Sequence, residues 1–269
     1  MKVQSICLVA LSFWARSAYG AAINVDLGTA DSFAVLAGST VTNTGATTVR
    51  GNLGLWPGSS ITGFLPGVVT LGTIHNNDAV AMQAQTDLTT AYNAAAGQPC
   101  GTVLTGQNLG GLTLTSGVYC FATSAQLTGT LTLNGQGDPN AVFVFQIGST
   151  LTTASSSSVL FTNAGQGDSV FWQVGSLATL GTTTQFAGNI LALTSITLNT
   201  GANVGCGRAL ARNGAVTMDT NNVSIDTPGC ETTPIVGGGV PEPGTATLLS
   251  MGLLLSFFVY RRQARKQRT

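Results

Sequence analysis

The chain has 269 residues, of which 7% are charged, while glycine numbers 35 and threonine 39. An ordinary soluble domain is charged at roughly a quarter of its positions, so this mix points to tight turns and β-strands and away from a helical enzyme or a disordered tail. The formal net charge of zero hides a segregation: residues 21–240 hold three arginines against nine acids, a surplus of six negative charges that argues against nucleic acid as a partner.

At the start, Lys2 precedes an apolar run from Ile6 to Trp14, and Ala18-Tyr19-Gly20 offers small residues for a signal peptidase. Residues 1–20 are therefore expected to be a secretory signal, and residues 21–230 the folded domain. Two coils of that domain are expected from residues 26–73. Within them Asn43-Thr44-Gly45-Ala46 reappears later as Asn199-Thr200-Gly201-Ala202, and Ser60-Ile61-Thr62 matches Ala215-Val216-Thr217 in register.

A long helical pattern follows at about residues 78–96. Asn76-Asn77-Asp78 supplies capping chemistry, Gly97-Gln98-Pro99 stops the run, and Val80, Ala84, Leu88, Ala91, Tyr92 and Ala95 fall on one stripe. His75, the lone histidine, sits just before it and is expected to cap or pack. Of five cysteines, Cys7 lies in the signal, which leaves Cys100, Cys120, Cys206 and Cys230. An even number in an exported chain suggests two disulfides, most simply Cys100 with Cys120 and Cys206 with Cys230, although three connectivities are open. With no Cys-x-x-Cys pair and one histidine, no metal site is expected, and no cofactor.

From residue 113 onward a short phrase recurs six times: Thr113-Leu114-Thr115, Thr130-Leu131-Thr132, Thr150-Leu151-Thr152, Thr179-Leu180-Gly181, Thr197-Leu198-Asn199 and Thr217-Met218-Asp219. Starts 17, 20, 29, 18 and 20 residues apart are the interval at which a solenoid returns a strand once per coil. Because side chains alternate along a strand, the Leu or Met points inward and the flanking residues outward. Each of the last four phrases follows another strand, at 141–147, 169–174, 190–193 and 208–211, and precedes a third, at 159–161, 185–187, 203–205 and 223–225. Three strands per turn with Gly, Ser, Asn and Thr corners predict a coil of triangular section.

The strands at 141–147 and 169–174 are apolar on both sides and so need a cover. The helix is expected to lie along the solenoid over the strands that contain Phe143, Phe145, Phe171 and Trp172.

The acids read as turn residues: Asp138 and Asp168 sit in Gly-Gln-Gly-Asp phrases, and Asp219 and Asp226 lie near the last coil. No clustered carboxylates suit a polysaccharide lyase or hydrolase, so no enzyme is expected. Arg208 and Arg212 read as edge charges that discourage end-to-end stacking.

Residues 231–240, rich in Gly, Thr and Pro, read as a spacer. Then come Pro241-Glu242-Pro243, an apolar stretch over 244–260 and Arg261, Arg262, Arg265, Lys266 and Arg268. Seventeen helical residues rise about 25 Å, the short limit for crossing a bilayer, with the basic end cytoplasmic. Residues 241–269 closely resemble the PEP-CTERM sorting signal. That resemblance implies recognition by a membrane-bound exosortase, cleavage near Pro241–Pro243 and delivery to the cell surface or beyond it.

A second resemblance covers about residues 26–228. The stretch from Asp31 to Gly45, Gly-Asn-Leu-Gly at Gly51, Gly-Val-Tyr-Cys at Gly117, Phe-Gln-Ile-Gly-Ser at Phe145 and the stretch from Leu191 to Leu198 resemble the bacterial and fungal ice-binding β-solenoid family. The resemblance implies an all-β fold with one long helix, a right-handed β-helix of triangular cross-section with the α-helix packed alongside. It also implies binding to ice or ordered surface water through a flat Thr-rich face. Family members carry Thr-Gly-x-Thr or Thr-Gly-x-Asn near that face, here Thr44-Gly45-Ala46-Thr47 and Thr200-Gly201-Ala202-Asn203.

On the ladder read from the six phrases, the candidate face is Thr113, Thr115, Thr130, Thr132, Thr150, Thr152, Thr179, Thr197, Asn199 and Thr217. Gly181 leaves a hole in it and Asp219 adds a charge. The competing reading is a non-catalytic surface or matrix protein, with exopolysaccharide as partner and no ice activity. In either case the membrane is engaged only through the C-terminal tail.

Overall fold

The computed structural model describes residues 21–163 and 169–225. Glycine, serine, asparagine and threonine corners divide these residues into short strands, and every strand pairing is parallel, in sheets of nine, seven and eight strands. One chain element is helical over several turns, α1 (Ala79–Ala96). The signal segment 1–20, the spacer, the tail with its expected helix at 244–260, Cys230, Asp168 and Asp226 lie outside the described residues.

Each coil runs from a covered face to a second face and then to a third. In one coil, Ser169–Val174 lies on the covered face, Ala178–Leu180 on the second and Gln185–Ala187 on the third. The four coils from residue 142 to 224 follow the pattern anticipated from their apolar first strands. Along each second-face strand the inward residue is buried and its neighbour faces solvent, as in Ile196, Thr197 and Leu198.

The stacking order differs from the chain order. Phe33–Ala37 pairs with Ala209–Ala211, and Thr40–Thr44 with Val216–Asp219, so the coil made first sits on the coil made last. The coil from Asn52 to Thr70 stacks beyond it. A connection along the nine-strand stack is then needed to restart at the far end, and α1 supplies most of it. Eighteen helical residues rise about 27 Å, close to the width of six strands at about 4.8 Å each. The chain resumes at Thr102–Val103, on the opposite edge of the covered sheet, where the Cys100–Cys120 disulfide fastens it to Gly117–Phe121. Closing that 20-residue separation contributes about 3 kcal/mol in the chain-entropy view. Cys206 is disulfide-bonded as well.

The helix begins where the asparagine-aspartate run anticipates it. Asp78 is the N-cap and accepts the Ala81 N–H at 2.9 Å, while its other oxygen meets His75 Nδ1, also at 2.9 Å. His75 further contacts Thr73 and packs on Phe33, so it packs as expected and supports the Asp78 cap without capping the helix itself. The Ala81 N–H, with help from His75, holds the Asp78 carboxyl below the usual carboxylate range. A depressed folded pKa stabilises fully above the unfolded value, about 3.9, and that contribution disappears as pH falls through the lower folded value. Asp78→Ala should cost about 1 kcal/mol at neutral pH. Urea denaturation should register that loss at pH 7 and a smaller one near pH 3.

The buried face of α1 is Ala81, Ala84, Gln85, Leu88, Ala91, Tyr92 and Ala95. Val80, placed on that stripe by its spacing, is exposed instead. Starting the stripe one residue later, at Ala81, lets Ala84, Leu88 and Ala91 follow at i+3, i+7 and i+10 along the line of the sheet. Under the helix lie Val118, Val142, Val144, Phe171, Leu191 and Leu210.

The alternate residues of those strands point into the coil. There Tyr119, Phe145 and Trp172 occupy one register and stack, with Phe145 and Trp172 rings 3.9 Å apart and nearly parallel. The helix thus lies over the strands at Val142–Ile147 and Ser169–Val174 as expected, and of their large aromatics Phe171 meets it while Phe143, Phe145 and Trp172 fill the interior.

Arg208 and Arg212 are not edge charges. The first-made coil covers theirs, and Arg208 bonds the Asp31 backbone carbonyl and carboxylate and Asn189. Burial lowers the Arg208 pKa and the Asp31 carboxylate opposes the shift. Arg212 lies over the Tyr92 ring, 4.8 Å from its centre.

Candidate functional site

The second face holds a single-residue column that no sequence phrase revealed whole. Its strands are Ala125–Leu127, Leu151–Thr153, Ala178–Leu180, Ile196–Leu198, Val216–Asp219, Thr40–Thr44 and Ser60–Thr62. Strand pairing puts Gln126, Thr152, Thr179, Thr197, Thr217, Thr42 and Thr62 side by side. Six consecutive threonines thus run along the solenoid axis for about 24 Å, at about 4.8 Å per step. None of their six hydroxyls bonds another described residue, so all are available to water.

Each side chain is fixed by the residue behind it. Leu151, Ala178, Ile196, Val216 and Val41 are buried in one interior row, and the strand alternation then forces the next residue outward. Threonine suits such a position because its branched Cβ leaves few rotamers to be lost on docking.

Flanking columns lie two residues away along each strand. On one side are Ser124, Thr150, Leu177, Ser195, Ala215, Thr40 and Ser60, so the exposed Leu177 and the half-buried Ala215 interrupt the hydroxyls, and Thr150 donates to Ser124 at 2.9 Å. On the other, Thr44 pairs with Asp219, and Asn199 and Gly181 follow in the next coils. Gly181 is more than a gap in the lattice: a Cβ there would fall within 2.6 Å of the Ala154 and Thr153 backbone, so close stacking requires glycine. Asp219 adds a negative charge there, and the hydroxyls of Thr200 and Thr220 hold its carboxyl below the usual range.

The ladder expected from the six phrases is divided between two faces. Thr152, Thr179, Thr197 and Thr217 share the central column, and Thr150 and Asn199 flank it. Thr113, Thr115, Thr130 and Thr132 belong to the third face, on strands Thr113–Thr115 and Thr130–Asn134. In that coil the covered strand is Gly117–Phe121 and the second-face strand is Ala125–Leu127, so Thr130 opens the third strand of the turn. A Thr-Leu-Thr phrase requires only one inward apolar residue between two outward ones, and both uncovered faces offer that.

The expected register also slips by two residues, since Thr152 rather than Thr150 adjoins Thr179. Thr42, Thr62 and Gln126 were missed. The match of Ser60-Ile61-Thr62 to Ala215-Val216-Thr217 carried the signal for Thr62, because Ile61 and Val216 both pair with Val41.

The third face is neither flat nor uncharged. One of its columns reads Thr130, Ser158, Gln185, Asn203, Asn222, Thr48 and Val68. A shallow groove lined by Leu160, Gln185, Asn203, Gly205 and Asn222 interrupts it, and Arg50 stands beside Ser224. Thr130 spends its hydroxyl on Ser158 at 2.8 Å. Asp138 accepts the Asn140 N–H, the turn duty expected of it. Among the described residues no three His, Cys, Asp or Glu side chains gather as a metal site.

Comparison with known proteins agrees with this geometry. The model of the family described as Ice-binding-like matches residues 35–224, and that of the PEP-CTERM protein-sorting motif matches residues 239–266. The second match makes the C-terminal segment an export and membrane-anchoring signal of the kind exosortases process. A protein named Ice-binding protein from Nostoc sp. (strain HG1) is 57% identical over 97% of this chain and 95% of its own length. Among solved structures, an ice-binding protein from an Antarctic biological consortium is 50% identical, with a TM-score of 0.72 over 76% of this chain and 92% of that one. One from the Antarctic ascomycete Antarctomyces psychrotrophicus is 42% identical, with a TM-score of 0.71 over 76% of this chain and all of that one. A three-faced parallel solenoid with its helix alongside, matched over most of its length by sequence and by structure, therefore belongs to the Ice-binding-like family.

Proposed function

We propose that this protein is exported and adsorbs to ice through the second face, acting as an antifreeze and inhibitor of ice recrystallisation. The observation that carries the reading is the in-register column of six threonines whose hydroxyls bond no other residue among the described ones. Methyl and hydroxyl groups repeating at about 4.8 Å along a rigid sheet hold surface water in a regular array. Affinity then comes from a flat, preorganised area, since little freedom remains to be lost on docking.

The protein acts without catalysis in this reading. Asp138 serves a turn, Asp78 caps the helix with His75 behind it, Asp31 pairs with Arg208, Asp87 holds Thr29, and Asp219 accepts the hydroxyls of Thr200 and Thr220. Residues 1–20 would direct export, 231–240 would space the domain from the membrane, and 241–269 would be handled by the exosortase. A second reading, a matrix protein bound to exopolysaccharide, draws on the sorting motif, which delivers the domain to the cell surface whatever it binds there.

Thermal hysteresis and recrystallisation assays on the exported protein separate the two. Faceted ice crystals and arrested grain growth at micromolar protein are expected. A folded protein that leaves ice growth unchanged, yet sediments with exopolysaccharide, would establish the matrix role instead.

A further inference from the structure

The two Thr-Gly-Ala phrases, far apart in sequence, meet at a single carboxylate. Asp219 projects from the second face between Thr44 and the Asn199 coil, at the corner where the chain turns toward the third face. Its Oδ2 accepts the Thr200 hydroxyl at 2.5 Å and its Oδ1 accepts the Thr220 hydroxyl at 3.0 Å. Thr200 belongs to one phrase and Gly45 to the other. A Cβ at Gly45, which has φ +78, would strike the Thr220 hydroxyl and come within 3.2 Å of Asp219 Oδ1.

The corner is built around this arrangement. Asn221 accepts the Asp219 N–H and donates to the carbonyls of Asn199 and Ala202, and Gly201 N–H reaches the Asp219 carbonyl.

We infer that Thr200 and Thr220, with the space left by Gly45, are positioning residues that turn the Asp219 carboxylate toward the corner and keep its hydration shell off the threonine face. The inference rests on the ice reading. A carboxylate has strong acceptor sites on both oxygens, and hydrogen bonds to an ionised acceptor are about twice as strong as neutral ones. Left to water, such a group orders a shell around itself that conflicts with a repeating lattice. Asp219 lies about 6.7 Å along the strand from Thr217, closer than the screening length of about 8 Å at physiological salt. Donating hydroxyls on both oxygens replace the nearest waters with groups fixed to the corner.

The test compares full-length wild type, Asp219→Asn, Thr200→Val/Thr220→Ala, and the triple variant, each first checked for a native melting transition. With the clamp intact, Asp219→Asn should not raise hysteresis above that of the wild type. Releasing the carboxylate in Thr200→Val/Thr220→Ala should lower it by roughly half or more, and adding Asp219→Asn should restore it, a coupling that separate structural losses would not produce. Full activity in the double variant, a loss that Asp219→Asn leaves in place, or a gain from Asp219→Asn alone would each overturn the clamp. An inactive wild type overturns the ice reading itself, and the clamp with it.

Discussion

Thr197→Tyr should abolish thermal hysteresis, by about tenfold or more, while Thr132→Tyr leaves it intact. Thr197 stands near the middle of the six-threonine column, between Thr179 and Thr217. A phenol ring there projects several ångströms above the methyl groups beside it and holds the rest of the face away from a flat crystal surface. Adsorption that depends on the whole area is thereby lost at once, which is how a single residue gains so large an effect. Stability should hardly change, because tyrosine is a good strand residue on a solvated surface. Thr132 gives the matching control: the same exchange on an exposed strand, but on the third face, beside Thr113 and Leu160. Ice affinity and hysteresis measured on both variants, with circular dichroism to confirm the fold, decide the matter. Equal loss in both, or in neither, would sink the assignment of the second face.

Trp172→Ala should be the most damaging single change to the fold, at about 3–5 kcal/mol. Its side chain is fully buried, stacks on Phe145 at 3.9 Å, meets Phe186 at 4.9 Å and donates its indole N–H to the Ala187 carbonyl at 3.0 Å. Alanine removes the ring, leaves a cavity the rigid coil cannot close, and strands that carbonyl without its donor. For a domain of this size the melting temperature should fall by about 10 °C. A scanning calorimetry shift of only a degree or two would mean that the coil interior is packed more loosely than the stacked rings indicate.

Much of this architecture was legible before any coordinates. The four C-terminal coils announce themselves because a Thr-Leu or Thr-Met phrase recurs between two other short strands, and the strands at 141–147 and 169–174 are apolar on both sides, a pattern that calls for a cover. The helix was equally clear from its Asp78 cap and Gly97 stop, although its stripe begins at Ala81 and not at Val80. The stacking of the first two coils was not legible, because pairing between coils leaves no mark in local sequence. Val41 fits against Val216 no better, by type, than against any other buried β-branched neighbour. The site suffered from the same degeneracy. Thr113-Leu114-Thr115 and Thr197-Leu198-Asn199 look like one motif and sit on different faces, since the face is set by position within the turn. Counting from the covered strand, rather than from the threonines, would have assigned Thr130 to the third strand of its coil.

The docking of the earliest coil onto the latest sets an order on biogenesis. Thr44 and Met218, joined across that seam, are 174 residues apart in the chain. Residues 33–76 therefore leave the ribosome able to stack on one another but with nothing on the side that will meet residues 209–224, and contacts at such separation form late and slowly. Thr42 and Thr62 enter the water-facing row only after the strand bearing Thr217 has been synthesised and has found them. A translocating polypeptide thus carries an incomplete surface until nearly the whole domain has crossed, and its power to grip a crystal should appear in one step at the end of folding, rather than growing coil by coil.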